Sequence, residues 1–442
     1  MPKKEINYRI LVYPNITYQK DLEKDSYIVL LPHIIRYLNS IRDDLFFTLL
    51  TPEYIKSLEF PNTEQKILTF PQSPNRMRTH IYFDNNTVYD LVDWRHNDYD
   101  IVYSHLPEHT LSLSNLFYNS THCRPKIIGY CHWWELKENM SKPKSMFMHN
   151  MTGLLEMSEC GVNSEWVKGL VLRRASEIFN QDVLDKLRDI IQPHRLGVDK
   201  IDLSKTKLLG GKKKKGIIFN HRHSQYTGSS WFFKCMDELY KQRKDFIVYT
   251  TFEKVNKPYA RLLKIKDRDK YLKKLKQMYV GIGAFKKYSA WSISTTDGLS
   301  MGVPYILPDS FCYREMVGWD YPLLYENKRG FMELINKVLD NESVRNDAVR
   351  NMKNKLPNFL WQNRIAEWFN GWDIFDGDWN LIKKDNQSYQ RVIDFISLKG
   401  YTSKNDVLKF LSWGPSFRFD GIRNRLRGDD RVKLTKDGYE WV

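Results

Sequence analysis

Apolar residues fall in short blocks along most of this chain, separated by polar or glycine-containing stretches. Residues 8–13 (YRILVY) read as a first buried strand. Pro14 and Asn15 end it, and a polar stretch follows. Helical periodicity covers residues 26–41, and residues 45–50 form a second strand block. Residues 78–83 give a weaker one, whereas 99–103 (YDIVY) and 126–131 (KIIGYC) are strong and run straight into His105 and His132. The pattern then repeats. A strand at 216–220 (GIIFN) enters a polar loop at 221–228, a helix follows over 229–239, and a strand comes at 245–250. Shorter strand blocks follow at 279–282, 291–294 and 305–307, and residues 344–372 read as helix with an aromatic face that braces the two halves.

Strand blocks alternating with helices predict parallel sheets covered on both faces, so the fold class is α/β. Two Rossmann-like domains facing across a cleft are expected over residues 1–205 and 206–375, with a smaller module at 376–442. Ligands of such sheets sit beyond the carboxyl ends of the strands, which makes His105, Glu108, His132 and Glu135 candidate cleft residues.

The tail differs in character. Residues 386–398 read as helix, Lys399 and Gly400 interrupt it, and Thr402 is placed to cap a helix over 403–411. After Gly414 and Pro415 comes a basic helix at 418–427 carrying Arg423, Arg425 and Arg427, then a hairpin from 431–434 and 438–442. Helix, turn, basic helix and hairpin is the order of a winged helix, which reads the major groove with one helix and touches phosphates with the hairpin. Residues 402–442 hold nine Lys/Arg against six Asp/Glu, a net of +3, which suits that reading. A helical cap ending in a hairpin has the same order.

Composition narrows the classes. With 442 residues, 42% of them hydrophobic, the chain has ample material for a core, and fibrous or disordered classes are excluded. The longest apolar run, near residues 27–35, contains Pro32 and is less than half a membrane span, so no transmembrane segment is expected. Residues 1–7 are polar and charged, so a cytoplasmic location is the default. Five cysteines without a CxxC pair fit reduced, buried thiols. The net charge of +16 favours a polyanionic partner. The Lys212–Lys215 run reads as a solvated linker ahead of a strand.

Four stretches carry a family resemblance. They are YCHWWE at 130–135, GVNSEWVK at 161–168, IQPHRLGVD at 191–199 and SISTTDGLSMGVPYILP at 292–308. In this order they resemble the glycosyltransferase B-fold (GT-B) enzymes, which use nucleotide sugars. The resemblance covers about residues 1–375. It implies that Asp297 accepts hydrogen bonds from both ribose hydroxyls of the donor. Gly298 and Gly302 would admit close backbone approach, and a helix starting near Asp297 would aim free N–H groups at the diphosphate. It also implies that Arg222 clamps the diphosphate. Family members carry a lysine a few residues further on, where this chain has Thr227, so His221, His223 or a metal ion would share the task. Ser289 stands where retaining members carry an acidic residue against the transferred sugar.

His132 would lie beside the sugar in a retaining enzyme. In an inverting one His132, His105 or Glu108 would act as base on the acceptor hydroxyl. Trp133 and Trp134 offer flat surface for a sugar or a base. No GxGxxG follows the first strand, so no dinucleotide cofactor is expected, and no residue cluster recommends a metal.

The expected function is transfer of a sugar from a nucleoside-diphosphate sugar, UDP-linked, to an acceptor hydroxyl. With the basic tail, the expected acceptor is a hydroxymethylated base in double-stranded DNA, and the sequence is similar to phage DNA-glycosylating enzymes that work in host cytoplasm. Two alternatives stand: transfer to a polysaccharide, lipid or protein, and a non-catalytic DNA-binding regulator on the same scaffold.

Overall fold

The computed structural model describes residues 8–14, 26–42, 44–52, 59–68, 88–89, 99–121, 125–138, 146–209, 214–370, 392–393, 395–410, 426, 431–435 and 437–442. The expected strand at 78–83, Asn15, residues 386–391 and most of the basic tail helix at 418–427, with Arg423, Arg425 and Arg427, lie outside them.

The first part of the chain builds a seven-stranded parallel sheet from β1 (Tyr8–Tyr13), β2 (Leu45–Pro52), β3 (Thr63–Leu68), β4 (Ile101–Ser104), β5 (Lys126–Tyr130), β6 (Glu159–Val162) and β7 (Ile191–Pro193). Their order is β3-β2-β1-β4-β5-β6-β7. Interleaved helices are α1 (Ser26–Ile41), α2 (Pro107–Thr121), α3 (Met146–Leu154), α4 (Glu165–Ser176) and α5 (Gln181–Ile190). The strands are apolar on both faces because helices cover both: Ile101–Ser104 is buried throughout, as are the last four residues of β1 and β5.

The second sheet repeats the plan. It contains β8 (Lys215–Phe219), β9 (Phe246–Thr250), β10 (Ala260–Leu262), β11 (Val280–Ile282), β12 (Tyr305–Pro308) and β13 (Leu324–Tyr325), in the order β10-β9-β8-β11-β12-β13. Its helices are α6 (Ser229–Gln242), α7 (Arg268–Leu275), α8 (Ile293–Ser300), α9 (Tyr313–Val317), α10 (Lys328–Asp340) and α11 (Glu342–Lys353). A 3-10 turn at Leu356–Phe359 leads into α12 (Trp361–Asn370). Both sheets are doubly wound, so each has a crevice where the chain reverses direction, between β1 and β4 and between β8 and β11.

By its contacts the chain divides into two compact units, residues 1–365 and 366–442. The smaller unit holds β14 (Tyr401–Ser403), α13 (Lys404–Phe410), β15 (Val432–Leu434) and β16 (Gly438–Trp441). Its sheet is antiparallel, in the order β14-β16-β15. Val392, Ile393, Ile396, Val407, Leu426, Val432 and Tyr439 form its own core.

Several sequence expectations change. Residues 291–294 are not a strand: the Ser292 side chain accepts from Thr295 N and starts α8 at Ile293. Thr402 is not a helix cap but a strand residue paired with Tyr439, and Ser403 takes the cap by accepting from Asp406 N. The end of the lysine run is only partly solvated, with Lys214 exposed and Lys215 half-buried. The Lys215 ammonium bonds the Leu339 carbonyl and lies over the Tyr279 ring at 4.8 Å. Strand β14, too short for its pattern to show in the sequence, completes the tail sheet.

Candidate active site

The carboxyl edge of the first sheet gathers an aromatic cluster. His105 follows β4 and is 1% exposed. It stacks on Tyr27 of α1 at 4.2 Å and meets Tyr103 edge-on at 4.9 Å. Neither ring nitrogen has a hydrogen-bond partner among the described residues. Burial, with His132 nearby, holds its pKa well below the ordinary imidazole value, so the ring is neutral. His132, past β5, is half-buried. Its backbone N donates to the Tyr27 hydroxyl at 3.1 Å, and the Asn163 amide donates to its Nδ1 at 2.9 Å. With Nδ1 accepting, a neutral ring carries its proton on Nε2.

The neighbours expected here divide. Glu108, in the first turn of α2, accepts from Asn150 Nδ2 at 2.7 Å and so ties α2 to α3. Glu135 is not a cleft residue: it is 1% exposed and accepts from Phe147 N at the start of α3. Trp134 is not a stacking platform, being fully buried in the core, while Trp133 is half-buried.

In the second sheet Asn220 organises the crevice beyond β8. Its Nδ2 donates to the Ser294 carbonyl in α8 and to Tyr271 in α7, both at 2.8 Å, and its Oδ1 accepts from the Tyr305 hydroxyl at 3.1 Å. This network sets the Arg222 loop against the first turn of α8, bringing Arg222 and Asp297 onto neighbouring segments. Arg222 is exposed, and its guanidinium makes no hydrogen bond or ion pair among the described residues.

Three loop residues are held inward instead. Thr227 is 2% exposed and donates to the Arg222 carbonyl at 2.6 Å. His221 is buried, bonds the Ile282 carbonyl at 3.1 Å, and has its pKa pushed down by burial to about 4. His223 is half-buried and sits 3.6 Å from Glu253.

Asp297 lies in the middle of α8, not at its start, and is 2% exposed. Arg268, the first residue of α7, grips it with Nη1 to Oδ2 and Nη2 to Oδ1, both 2.6 Å. The same guanidinium reaches Asp199 at 3.1 and 3.2 Å, and Asp199 lies 3.5 Å from His33 of α1. Burial raises the Asp297 pKa, and Arg268 opposes that rise.

Both glycines serve the packing and ending of the helix. A Cβ on Gly298 would lie 2.1 Å from the Tyr305 ring, so the glycine lets α8 pack on β12. Gly302, at φ +73°, ends α8: its N–H bonds Leu299 O and the Val303 N–H bonds Gly298 O. It therefore sits at the far end of α8 from the crevice. Ser289 is buried and donates to the Tyr313 hydroxyl at 3.2 Å.

The two carboxyl edges meet. Glu315 of α9 accepts from the Glu165 N–H that opens α4, at 3.0 and 3.1 Å, and from Arg195 Nε at 2.5 Å. Trp166 of α4 packs against Tyr288 and Phe311, each at 5.3 Å. Phe311 holds φ +60°, a left-handed conformation that is uncommon for a bulky residue. On the connecting strap, Trp291 Nε1 donates to Leu196 O at 3.1 Å, and Trp361 of the bracing helix stacks on His33 at 4.7 Å.

Among the described residues no cluster of His, Cys, Asp or Glu is set to hold a metal, and no helix is long and apolar enough to cross a membrane. The four described cysteines, Cys131, Cys160, Cys235 and Cys312, are buried. Sequence reasoning missed Arg268, Asp199, Tyr27, Asn163 and Asn220. Asn220 carried a local signal as the polar residue closing a strand, and Asn163 and Asp199 stand in the quoted stretches 161–168 and 191–199.

No protein-family profile and no curated protein matches the sequence. Solved structures do match. Sucrose-phosphate synthase of Thermosynechococcus elongatus superposes with a TM-score of 0.61 at 10% identity, covering 81% of this chain and 96% of that one. HepE of Anabaena, in complex with UDP and glucose, gives 0.59 at 12%, covering 83% and 100%. A UDP-forming trehalose-phosphate synthase of Burkholderia xenovorans gives 0.61 at 9%, covering 82% and 98%. At these identities the likeness establishes the fold: the α/β architecture with parallel sheets matches GT-B glycosyltransferases.

Proposed function

We propose that the chain is a glycosyltransferase that moves a sugar from a nucleoside-diphosphate sugar, UDP-linked, to an acceptor hydroxyl. The observation that carries this reading is the placement of Arg222 and Asp297 on segments joined through Asn220 and Ser294 at the crevice beyond β8. A nucleotide laid there would meet the Arg222 cation at its diphosphate, and its ribose would reach Asp297 by taking over carboxylate contacts that Arg268 now holds. The structural neighbours that hold UDP, or are named for forming it, agree in kind.

In the proposed reaction the acceptor oxygen bonds to the anomeric carbon as the bond to the β-phosphate oxygen breaks. The nucleoside diphosphate leaves with the electron pair, and Arg222 stabilises its charge. The acceptor proton passes to the departing phosphate oxygen if configuration is retained, or to a base if it is inverted. His132 and His105 are the first-sheet candidates for positioning or base work, and the half-buried His132 is the better exposed of the two. Glu108, held by Asn150, ranks below them. Inward-facing Ser289 supplies no carboxylate to the sugar.

For the acceptor we propose a hydroxymethylated base in double-stranded DNA, reached through a winged-helix tail. Strand, helix and hairpin in one antiparallel sheet, with β14 beside β16, support that reading, together with the net charge of +16. Small sugar acceptors are the second reading, favoured by the names of the sucrose-phosphate and trehalose-phosphate synthases. One assay separates them: free nucleoside diphosphate released from several nucleotide sugars, with hydroxymethylated DNA, sugar phosphates, glycan or lipid acceptors, or none. Release that depends on DNA supports the first reading. Release only with the other acceptors overturns the DNA assignment, and no release under any condition overturns the enzyme.

A further inference from the structure

Resting on the nucleoside-diphosphate reading, we propose that Lys286 is the second cation of the diphosphate site and works from a different loop than Arg222. The two loops, 220–228 after β8 and 283–289 after β11, flank the point where the second sheet reverses its strand order. They touch. Lys286 N donates to the Tyr226 carbonyl at 3.1 Å. A Cβ placed on Gly228 would lie 1.8 Å from the Ala284 oxygen and 3.2 Å from Lys286 Cγ. Gly228, at φ +68°, is thus the residue that lets the loops close on each other.

Unpaired positive charge collects there. Arg222, Lys286 and Lys287 are all exposed, and none is paired with a carboxylate among the described residues. A diphosphate beside Arg222 needs more than one guanidinium to offset its charge, and Thr227 is turned inward onto the Arg222 carbonyl. The Lys286 stem lies against Gly228, the residue that follows Thr227. Its ammonium rests over the Trp231 ring at 4.1 Å, a contact weaker than a charge-assisted hydrogen bond to phosphate. Rotation of a flexible lysine stem carries the charge from the indole to the anion. Trp231 therefore gives the ammonium a resting contact from which that rotation starts.

The test is calorimetric titration of the full chain with UDP, GDP and ADP, and with the nucleoside of whichever binds tightest. Lys286→Ala should weaken the diphosphate at least tenfold and leave the nucleoside within twofold. It should also lower the salt dependence of diphosphate binding. Lys286→Arg, which keeps the charge, should stay within about threefold of the parent, and Lys337→Ala on α10 should not differ from it. Parent-like diphosphate affinity in Lys286→Ala overturns the assignment, as does equal weakening of nucleoside and diphosphate. If the unmodified protein binds none of the three diphosphates, the nucleotide reading itself falls.

Discussion

Arg268 and Asp297 form a two-pronged pair, guanidinium edge to carboxylate, with both contacts at 2.6 Å and the carboxylate 2% exposed. Removing one partner of such a pair strands the other. Arg268→Ala should cost about 3 kcal/mol or more of stability, because a buried carboxylate loses its counter-charge. Its pH dependence has a definite sign. Burial alone then raises the Asp297 pKa further above 3.8, so the folded variant holds a proton that the unfolded chain releases. The deficit relative to the parent should be small at acid pH and grow as pH rises. Thermal melts of both proteins across pH would show it, and a deficit independent of pH would count against the pair.

Asp297→Asn probes the ribose role and the Arg268 pair together, and the choice between ribose and deoxyribose separates the two. A carboxamide keeps the volume but has one acceptor oxygen in place of two, so donor affinity should drop at least tenfold in calorimetry. Equal affinity for ribose and 2′-deoxyribose nucleotides in the unmodified protein would remove Asp297 from the ribose.

Asp199 carries a separate pH signature. Hydrogen bonding from His33, with Arg268 alongside, brings its pKa down to about 2 from the usual 3.8. A depressed acid stabilises the fold above its unfolded pKa and loses that contribution as pH falls toward the folded value. Between pH 4 and about 2 the parent should therefore lose more stability than Asp199→Asn. Acid titrations followed by circular dichroism test this, and parallel curves would refute it.

Two glycines in helices should respond oppositely to alanine. Gly298→Ala drives a methyl into the Tyr305 ring and should cost about 1–3 kcal/mol. Gly169, in the middle of α4, is exposed, and a methyl added to it would meet nothing within 4 Å. Gly169→Ala should stabilise by roughly 0.5–1 kcal/mol through helix propensity. Melting temperatures that move the same way in both variants would contradict the packing argument.

The tail prediction follows from its separate core. Removing residues 376–442 should lower DNA affinity and its salt dependence in anisotropy measurements, while slow donor hydrolysis persists. Unchanged salt-dependent binding by the shortened chain would take the DNA role away from the tail.

How much of this was legible in the sequence follows from the range of the interactions. Blocks such as YRILVY and KIIGY announce buried parallel strands because both faces are covered, and those strands stand where they were expected. TEQKIL of β3 and ECGV of β6 lack such a block. The first is an edge strand that tolerates polar side chains, and the second is too short to show a period. Ser292 misled because Trp-Ser-Ile-Ser alternates like a strand, while the bond from its side chain to Thr295 N starts a helix. Arg268 sits in a charged run that reads as a solvated helix face. Its partners lie 29 and 69 residues away, and no local pattern records that distance.

Glu315 bears on how the molecule yields. It stitches α9 to the opening of α4, and the Trp166 contacts with Tyr288 and Phe311 run alongside that stitch. The strap at residues 195–198 adds further ties through Arg195, Leu196 and Val198. A further tie runs elsewhere, because the Arg268 guanidinium of α7 reaches Asp199, which lies 3.5 Å from His33 of α1. The Glu315 carboxylate holds the Glu165 N–H and Arg195 at once, so a single substitution there would release two of those ties together.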